Sequence, residues 1–279
     1  MPTTIRWPGS DAALIELLAA IKAIAREAGR EILEVYGTDF EARTKADDSP
    51  LTEADLRAHQ LIVGELSRKT PQVPVLSEES ADQISPQQRA TWQRYWLVDP
   101  LDGTREFVAR NGEFTVNIAL IQSSRPVLGV VHIPVSDTTY SGIPGVGAWR
   151  EANDRAPSSI NVRRMARAPL RVLGSRSHGS PRLAEALGAM GPHELIAAGS
   201  SIKLCLVADG SADLYPRLGP TSEWDIAAGQ AVVEAAGGQV VEIQSGEPLR
   251  YNSRPTLLNP DFMAYGDPDC WRRWPQSEP

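Results

Sequence analysis

The sequence predicts a mixed α/β protein with helices and sheets in alternating layers. Three features lead there: two amphipathic stretches near the N-terminus, a crowd of strand-length apolar runs between Val73 and Trp149, and a strand–helix alternation after about residue 150. Leu14, Leu17, Leu18, Ile21, Ile24, Ala28 and Ile32 recur at three-to-four spacing after Ser10, so a helix runs to Gly37. A polar, Pro-containing loop, Lys45 to Pro50, follows. Thr52 starts a second helix carrying Leu56, Ile62, Val63 and Leu66. Val73 to Leu76 is a short strand leading into Ser77-Glu78-Glu79. Ile84 to Arg94 reads as a polar loop or short helix, and Tyr95 to Val98 as a buried strand ending at Asp99-Pro100.

Phe114 to Ile121, Pro126 to Ile133 and Thr139 to Ser141 are strands, and Gly145-Val-Gly-Ala-Trp149 is a hairpin return. The rhythm then changes. Strands are expected at Arg171–Leu173, Glu194–Ala197, Ala212–Tyr215 and Gln239–Ile243. Helices are expected at Pro181–Met190, Ser200–Asp209 and Asp225–Ala236. The 279 residues are read as one catalytic unit with a soft division into halves 1–150 and 151–279.

Composition narrows the function. Apolar residues make up 42% and charged residues 23%, as in ordinary globular proteins. The formal net charge of −7 argues against long DNA or RNA as a partner, because a polynucleotide binder carries a basic excess. An acidic protein still binds a phosphate ester when cations stand between them. Two cysteines, Cys205 and Cys270, make no disulfide framework. A reducing cytoplasm fits best, with weak peripheral association at the inner membrane left open. No apolar run reaches the ~18 residues of a membrane span. Gly145-Val-Gly147 is no dinucleotide fingerprint, and there is no GxxxxGK[ST] loop.

Five acidic residues sit at element edges: Asp55, Glu78, Asp99, Asp102 and Asp225. Each has a plain explanation. Thr52-Glu-Ala-Asp55 has capping-pair spacing, and Asp225 suits a helix cap. Glu78 and Glu79 suit a solvated loop. Asp99-Pro-Leu-Asp102 suits a type I turn. Their conjunction at strand ends is harder to set aside, because ligands collect where strand C-termini open into loops. A turn presenting Asp99, Asp102 and the Leu101 carbonyl is a mount of hard oxygens, which suits Mg²⁺. Two carboxylates ~4 Å apart repel by about 4 kcal/mol at an effective dielectric near 20, so a converging set calls for divalent cations or protonation.

These residues form a known pattern. Trp96-Leu-Val-Asp99-Pro-Leu-Asp102-Gly-Thr104 closely resembles the first signature of the inositol monophosphatase superfamily. Trp224-Asp225-Ile-Ala-Ala-Gly229 resembles the second, and Ser77-Glu78-Glu79 the acidic motif before the first. Lys45-Ala-Asp-Asp-Ser-Pro-Leu-Thr-Glu-Ala-Asp55, Gly174-Ser-Arg-Ser-His178, Gly199-Ser-Ser-Ile-Lys203 and Asp213 to Asp225 resemble one branch, the bacterial-type 3′(2′),5′-bisphosphate nucleotidases. The likeness runs from about residue 11 to about residue 266. Leu51 and Ser222 depart from it and are expected to have no bearing on the chemistry.

The resemblance implies a layered αβαβα sandwich of the inositol monophosphatase and fructose-1,6-bisphosphatase type. It implies a Mg²⁺-dependent, lithium-sensitive phosphatase acting on the 3′-phosphate of 3′-phosphoadenosine 5′-phosphate, a substrate of sulfur metabolism. Glu78, Asp99 and the Leu101 carbonyl would hold one Mg²⁺. Asp99, Asp102 and Asp225 would hold a second, and Asp55 with Glu78 would help place a third through waters. Thr104 would pair with Asp55 to orient the attacking water. The backbone of Gly103 and Thr104 would face the phosphate. His178, Ser200, Lys203 and Arg217 would contact substrate, together with Asp225; Lys203 and Arg217 would take the non-scissile 5′-phosphate. Taken singly, Lys203 and Arg217 read as solvated cations and His178 as a surface or structural residue. Lys45 belongs to a loop covering the site. Two alternatives stay open: an inositol or sugar monophosphate phosphatase on the same scaffold, and a non-catalytic metal or nucleotide sensor.

Overall fold

The structure is a computed structural model and describes residues 11–41, 43–44, 50–153, 155–175 and 181–275. In chain order it begins with helix α1 (Asp11–Tyr36), a short ribbon of β1 (Arg43–Thr44) and β2 (Pro50–Leu51), and helix α2 (Glu53–Lys69). Next come β3 (Val75–Ser77), α3 (Pro86–Arg89), β4 (Arg94–Asp102) and α4 (Thr104–Val108). Strands β5 (Thr115–Gln122), β6 (Arg125–Ile133), β7 (Thr138–Ile143), β8 (Gly147–Ala152) and β9 (Ser158–Ser159) follow. The remainder is β10 (Leu170–Ser175), α5 (Pro181–Met190), β11 (His193–Ala198), α6 (Ile202–Ala208), β12 (Leu214–Arg217), α7 (Glu223–Ala235), β13 (Gln239–Glu242), β14 (Phe262–Tyr265) and α8 (Pro268–Arg272).

Two sheets organise these elements. The larger runs β3-β4-β5-β6-β7-β8-β9, with a parallel β3–β4 pair and antiparallel neighbours elsewhere. The smaller runs β11-β10-β12-β14-β13. Strand alternation divides the core. Trp96, Val98, Val116, Ile118 and Leu120 face α1 and α2, while Tyr95, Leu97, Ala119 and Ile121 face α6 and α7. On the far side of the second sheet, Val172, Leu214 and Met263 pack with Leu187 of α5 and Cys270 of α8. The layers are therefore αβαβα, as expected from the resemblance.

Helix α7 lies between the two sheets and is buried along most of its length. That burial explains its near-continuous small and apolar sequence, Ile226 to Val233. The sheet approaches it so closely that a Cβ on Gly129 would stand 2.3 Å from the Ala228 carbonyl oxygen. Among the described residues, no helix is long and apolar enough to cross a membrane.

Three sequence expectations change in detail. Helix α6 begins at Ile202 rather than Ser200, because Ser200 adopts φ 41 and cannot continue a right-handed helix. Asp99 to Asp102 is a bulge that stays in β4, not a turn that ends it. Asp99 pairs with Asn117 and Asp102 with Thr115, so the β4 side carries one residue more than β5. Strand β14 and helix α8 were not foreseen.

Candidate active site

The parallel register of β3 and β4 sets Ser77 beside Val98, so Glu78, which leaves β3, stands next to Asp99, which stays in β4. Glu78 opens a 3₁₀ turn and lies in hydrogen-bond contact with Asp99. Asp99 continues the Tyr95–Leu97 face and is 1% exposed. The Leu101 N–H donates to Asp99 Oδ1 at 3.0 Å, which folds the bulge and brings Asp102 round. Leu101 itself is anchored in the α1/α2 core.

Asp225 reaches the same point from the first turn of α7. Oxygens of Asp99, Asp102 and Asp225 lie within 4.8 Å of one another. The capping readings are also correct. The Ser222 N–H donates to Asp225 Oδ2 at 2.9 Å, and the Thr52 N–H to Asp55 Oδ2 at 2.7 Å. Each carboxylate thus stands at a fixed place in a helix start. The bond to Asp225 comes from the backbone N–H of residue 222 and so does not depend on the Ser222 side chain.

Asp55 Oδ1 faces Thr104, whose Oγ1 lies 3.3 Å from it and 3.3 Å from the Leu101 carbonyl oxygen. Thr104 opens α4 behind Gly103, which has φ 89. A Cβ on Gly103 would meet the Glu113 carbonyl at 3.1 Å and Ser200 Cβ at 3.2 Å, so only glycine passes this corner unstrained. Asp55, Glu78, Asp99, Leu101, Asp102, Gly103, Thr104 and Asp225 are therefore brought to one place from four separate segments.

The charge balance explains what the place is for. Burial, then the negative charges of Glu78, Asp102 and Asp225, push the Asp99 carboxyl well above the usual range. Burial followed by Asp102 and Glu78 does the same to Asp225. Burial also raises Asp102, against the lowering pull of Lys203 and of its hydrogen bonds. Without cations, carboxylates this close must share protons. Every donor in the cluster is a hard oxygen, carboxylate or carbonyl, which is the set Mg²⁺ prefers. The residues present fit that ion.

The expected substrate contacts are placed unevenly. Ser200 sits beside Gly103 at the mouth. Lys203 is not a solvated cation: it is 6% exposed. Its Nζ donates to the carbonyls of Ser200 at 2.6 Å and Ala198 at 3.2 Å, and stands 5.4 Å from the Tyr215 ring centre. The cause is the position of α6 between the sheets. Burial brings the Lys203 pKa down to about 8, with Asp102 pulling it back up. Arg217 is half-buried; its Nη2 donates to the Pro220 carbonyl at 2.9 Å while its buried Nε has no partner. His178 and Lys45 lie outside the described residues.

Three residues at the site were missed. Ser201, Thr115 and Asn117 are buried behind Asp102; the Ser201 N–H and Asn117 Nδ2 donate to it, and the Ser201 hydroxyl contacts both Thr115 and Asn117. The available signal was Asn117, a lone amide in the otherwise apolar run Val116 to Ile121.

Comparison with known proteins accords with this geometry. Residues 14–266 match the inositol monophosphatase family. The chain is 52% identical over 250 residues to the 3′(2′),5′-bisphosphate nucleotidase CysQ of Escherichia coli (strain K12), covering 89% of this chain and 99% of that one. It is 36% identical over 258 residues to the CysQ of Haemophilus influenzae, covering 92% and 95%. The fold superposes on the crystal structure of CysQ from Bacteroides thetaiotaomicron, a bacterial member of the inositol monophosphatase family, with TM-score 0.76 and 42% identity over 89% of this chain and 97% of that one. It also superposes on an inositol monophosphatase from Anabaena, with TM-score 0.72 and 23% identity over 94% and 96%. On its signature residues, its layered fold and its similarity over most of its length, this chain belongs to the inositol monophosphatase family.

Proposed function

We propose that the chain is a Mg²⁺-dependent 3′(2′),5′-bisphosphate nucleotidase that hydrolyses the 3′-phosphate of 3′-phosphoadenosine 5′-phosphate to AMP and phosphate. The observation that carries the reading is the meeting of Asp99, Asp102 and Asp225 oxygens within 4.8 Å, next to the Thr104–Asp55 pair. The high identity to the CysQ proteins supports the choice of substrate.

In this reading Glu78, Asp99 and the Leu101 carbonyl would hold one Mg²⁺, and Asp99, Asp102 and Asp225 a second, with Asp55 and Glu78 available to help place a third. Bound Mg²⁺ supplies an acidified water and charge neutralisation at the ester phosphorus. The protein supplies the rest. Thr104 Oγ1 donates its proton toward Asp55 Oδ1, which leaves its lone pairs to accept from the attacking water and aim it. Asp55 is held for that task by the Thr52 cap. Gly103 turns the backbone at positive φ between Glu113 and Ser200 and so sets Thr104 at the start of α4. Ser200 and Arg217 line the nucleotide side. Lys203 acts there chiefly by holding the Ser200 carbonyl and by its charge.

Phosphate release from a small ester panel tests this, with Mg²⁺, with EDTA and with added Li⁺. The expected result is Mg²⁺-dependent, Li⁺-inhibited turnover with higher kcat/KM on 3′-phosphoadenosine 5′-phosphate than on inositol 1-phosphate. Higher efficiency on the inositol ester would move the assignment to a monophosphatase. Tight nucleotide binding without turnover would make the chain a sensor.

A further inference from the structure

Next to Asp102, a chain of buried polar groups links β5 to the start of α6. The Ser201 N–H donates to Asp102 Oδ2 at 2.6 Å. The Ser201 hydroxyl donates to Asn117 Oδ1 at 2.7 Å. Thr115 Oγ1 stands 2.7 Å from Ser201 Oγ. An amide oxygen only accepts, so the single Ser201 proton goes to Asn117, and Thr115 must donate to Ser201. Asn117 Nδ2 then donates back to Asp102 Oδ2 at 3.4 Å, and Thr115 Oγ1 lies at the same 3.4 Å from that oxygen. Thr115 and Asn117 are 0% exposed and Ser201 3%.

The direction of every proton in this chain is therefore set. Thr115 and Asn117 point at Ser201 because they share the Ala119 face of β5, which looks onto α6. Ser201 is itself held in place by its loop. Gly199 N–H donates to Glu113 Oε2 at 2.7 Å, and Lys203 grips the carbonyls on either side. A buried chain with all partners present tolerates one geometry only, since each broken link leaves a desolvated polar group.

We infer that Ser201, oriented by Thr115 and Asn117, is a positioning residue that fixes the orientation in which Asp102 meets a divalent cation. The same residue ends the Gly199–Ser201 loop, so it ties the nucleotide side of the site to the metal side. This rests on the reading of Asp102 as a metal ligand, and the test separates the two.

The test is Mn²⁺ binding to metal-stripped protein, read by electron paramagnetic resonance of the free ion, with thermal midpoints in EDTA measured beside it. Ser201→Ala, Thr115→Val, their double variant and Asp102→Ala are compared with the parent. Loss of an orienting partner weakens metal binding by about 10-fold or more. Ser201→Ala keeps the N–H that meets Asp102 but removes the hydroxyl that holds this N–H in place, so it is expected to weaken Mn²⁺ binding by about that factor, and the near-isosteric Thr115→Val by a smaller one. The double variant should be no weaker than Ser201→Ala, because the links act in series. A merely structural role would lower the midpoint and leave Mn²⁺ affinity within twofold of the parent in both single variants, and that result overturns the inference. Fully additive losses overturn the serial chain. If Asp102→Ala binds Mn²⁺ as the parent does, the ligand assignment itself falls. If Asp102→Ala loses binding while Ser201→Ala and Thr115→Val keep it, the positioning inference alone falls.

Discussion

Asp99→Asn separates what the acidic cluster costs the fold from what it gives the chemistry. The side chain is 1% exposed and faces Glu78, Asp102 and Asp225. At 4.8 Å, each unscreened carboxylate pair costs about 3.5 kcal/mol at an effective dielectric of 20. Part of that cost is already relieved by protonation, because the Asp99 and Asp225 carboxyls are pushed well above their ordinary range. A net gain of about 1–2 kcal/mol is therefore expected on neutralising Asp99 in the metal-free protein, or about 2–4 °C in thermal midpoint. Asparagine keeps an oxygen for the Leu101 N–H, so the bulge survives.

The sign with pH follows from the raised values. Below the ordinary carboxylate pKa, both folded and unfolded chains carry the proton and no repulsion exists. As pH rises, the unfolded chain ionises first and the folded cluster is left to give up its protons at a cost, so metal-free stability falls through the raised range. Mg²⁺ should abolish that fall in the parent, and Asp99→Asn should shrink it. Calorimetry across pH in EDTA and in Mg²⁺, with phosphate release alongside, reads all of this. Turnover is expected to drop at least about 100-fold. An Asp99→Asn protein that is less stable in EDTA, yet gains as much from Mg²⁺ as the parent, would refute the reasoning.

Other expectations follow from single contacts. Thr104→Val should lower kcat by about 100-fold with little change in KM, while Thr104→Ser keeps most activity, because the hydroxyl aims water rather than binding nucleotide. Steady-state kinetics on both variants checks it. Lys203→Met should raise the KM for 3′-phosphoadenosine 5′-phosphate about 10-fold and weaken Mn²⁺ binding by a smaller factor, since Lys203 supports the loop that carries both Ser200 and Ser201. Burial, with Arg26 adding to it, holds His132 down at about 4. The unfolded chain takes up that proton near 6.5, so stability should fall by up to about 3 kcal/mol from pH 6.5 to pH 4. Denaturant titrations of His132→Gln should show a flatter fall. Gly129→Ala should destabilise by at least about 2 kcal/mol, because its Cβ would meet the Ala228 backbone oxygen at 2.3 Å.

The acidic cluster was readable in advance because its members occupy positions with strong local signals. Asp55 and Asp225 are helix starts, Glu78 follows a strand, and Asp99 and Asp102 flank a proline. Those same signals support plain structural readings, and the structure combines the two placements: Asp55 and Asp225 cap their helices, while Asp55 also faces Thr104 and Asp225 also approaches Asp99 and Asp102. Local pattern could not tell the Asp99–Asp102 bulge from a turn, since Asp-Pro suits both, and only pairing with Asn117 and Thr115 decides. The burial of Lys203 was hidden for a different reason. Two residues into a short helix it looks solvated, and only the second sheet closing over α6 buries it. Strand β14 escaped because Phe262 to Tyr265 is four residues long between Pro260 and Gly266, too short for periodicity to register.

A crystal of the protein soaked in Mn²⁺ and phosphate, examined by anomalous scattering, goes to the heart of this account. Anomalous peaks within bonding distance of Asp99, Asp102 and Asp225 oxygens, with phosphate alongside Thr104, are the expected result. Ordered carboxylates with no peak among them, or peaks elsewhere in the molecule alone, would contradict it.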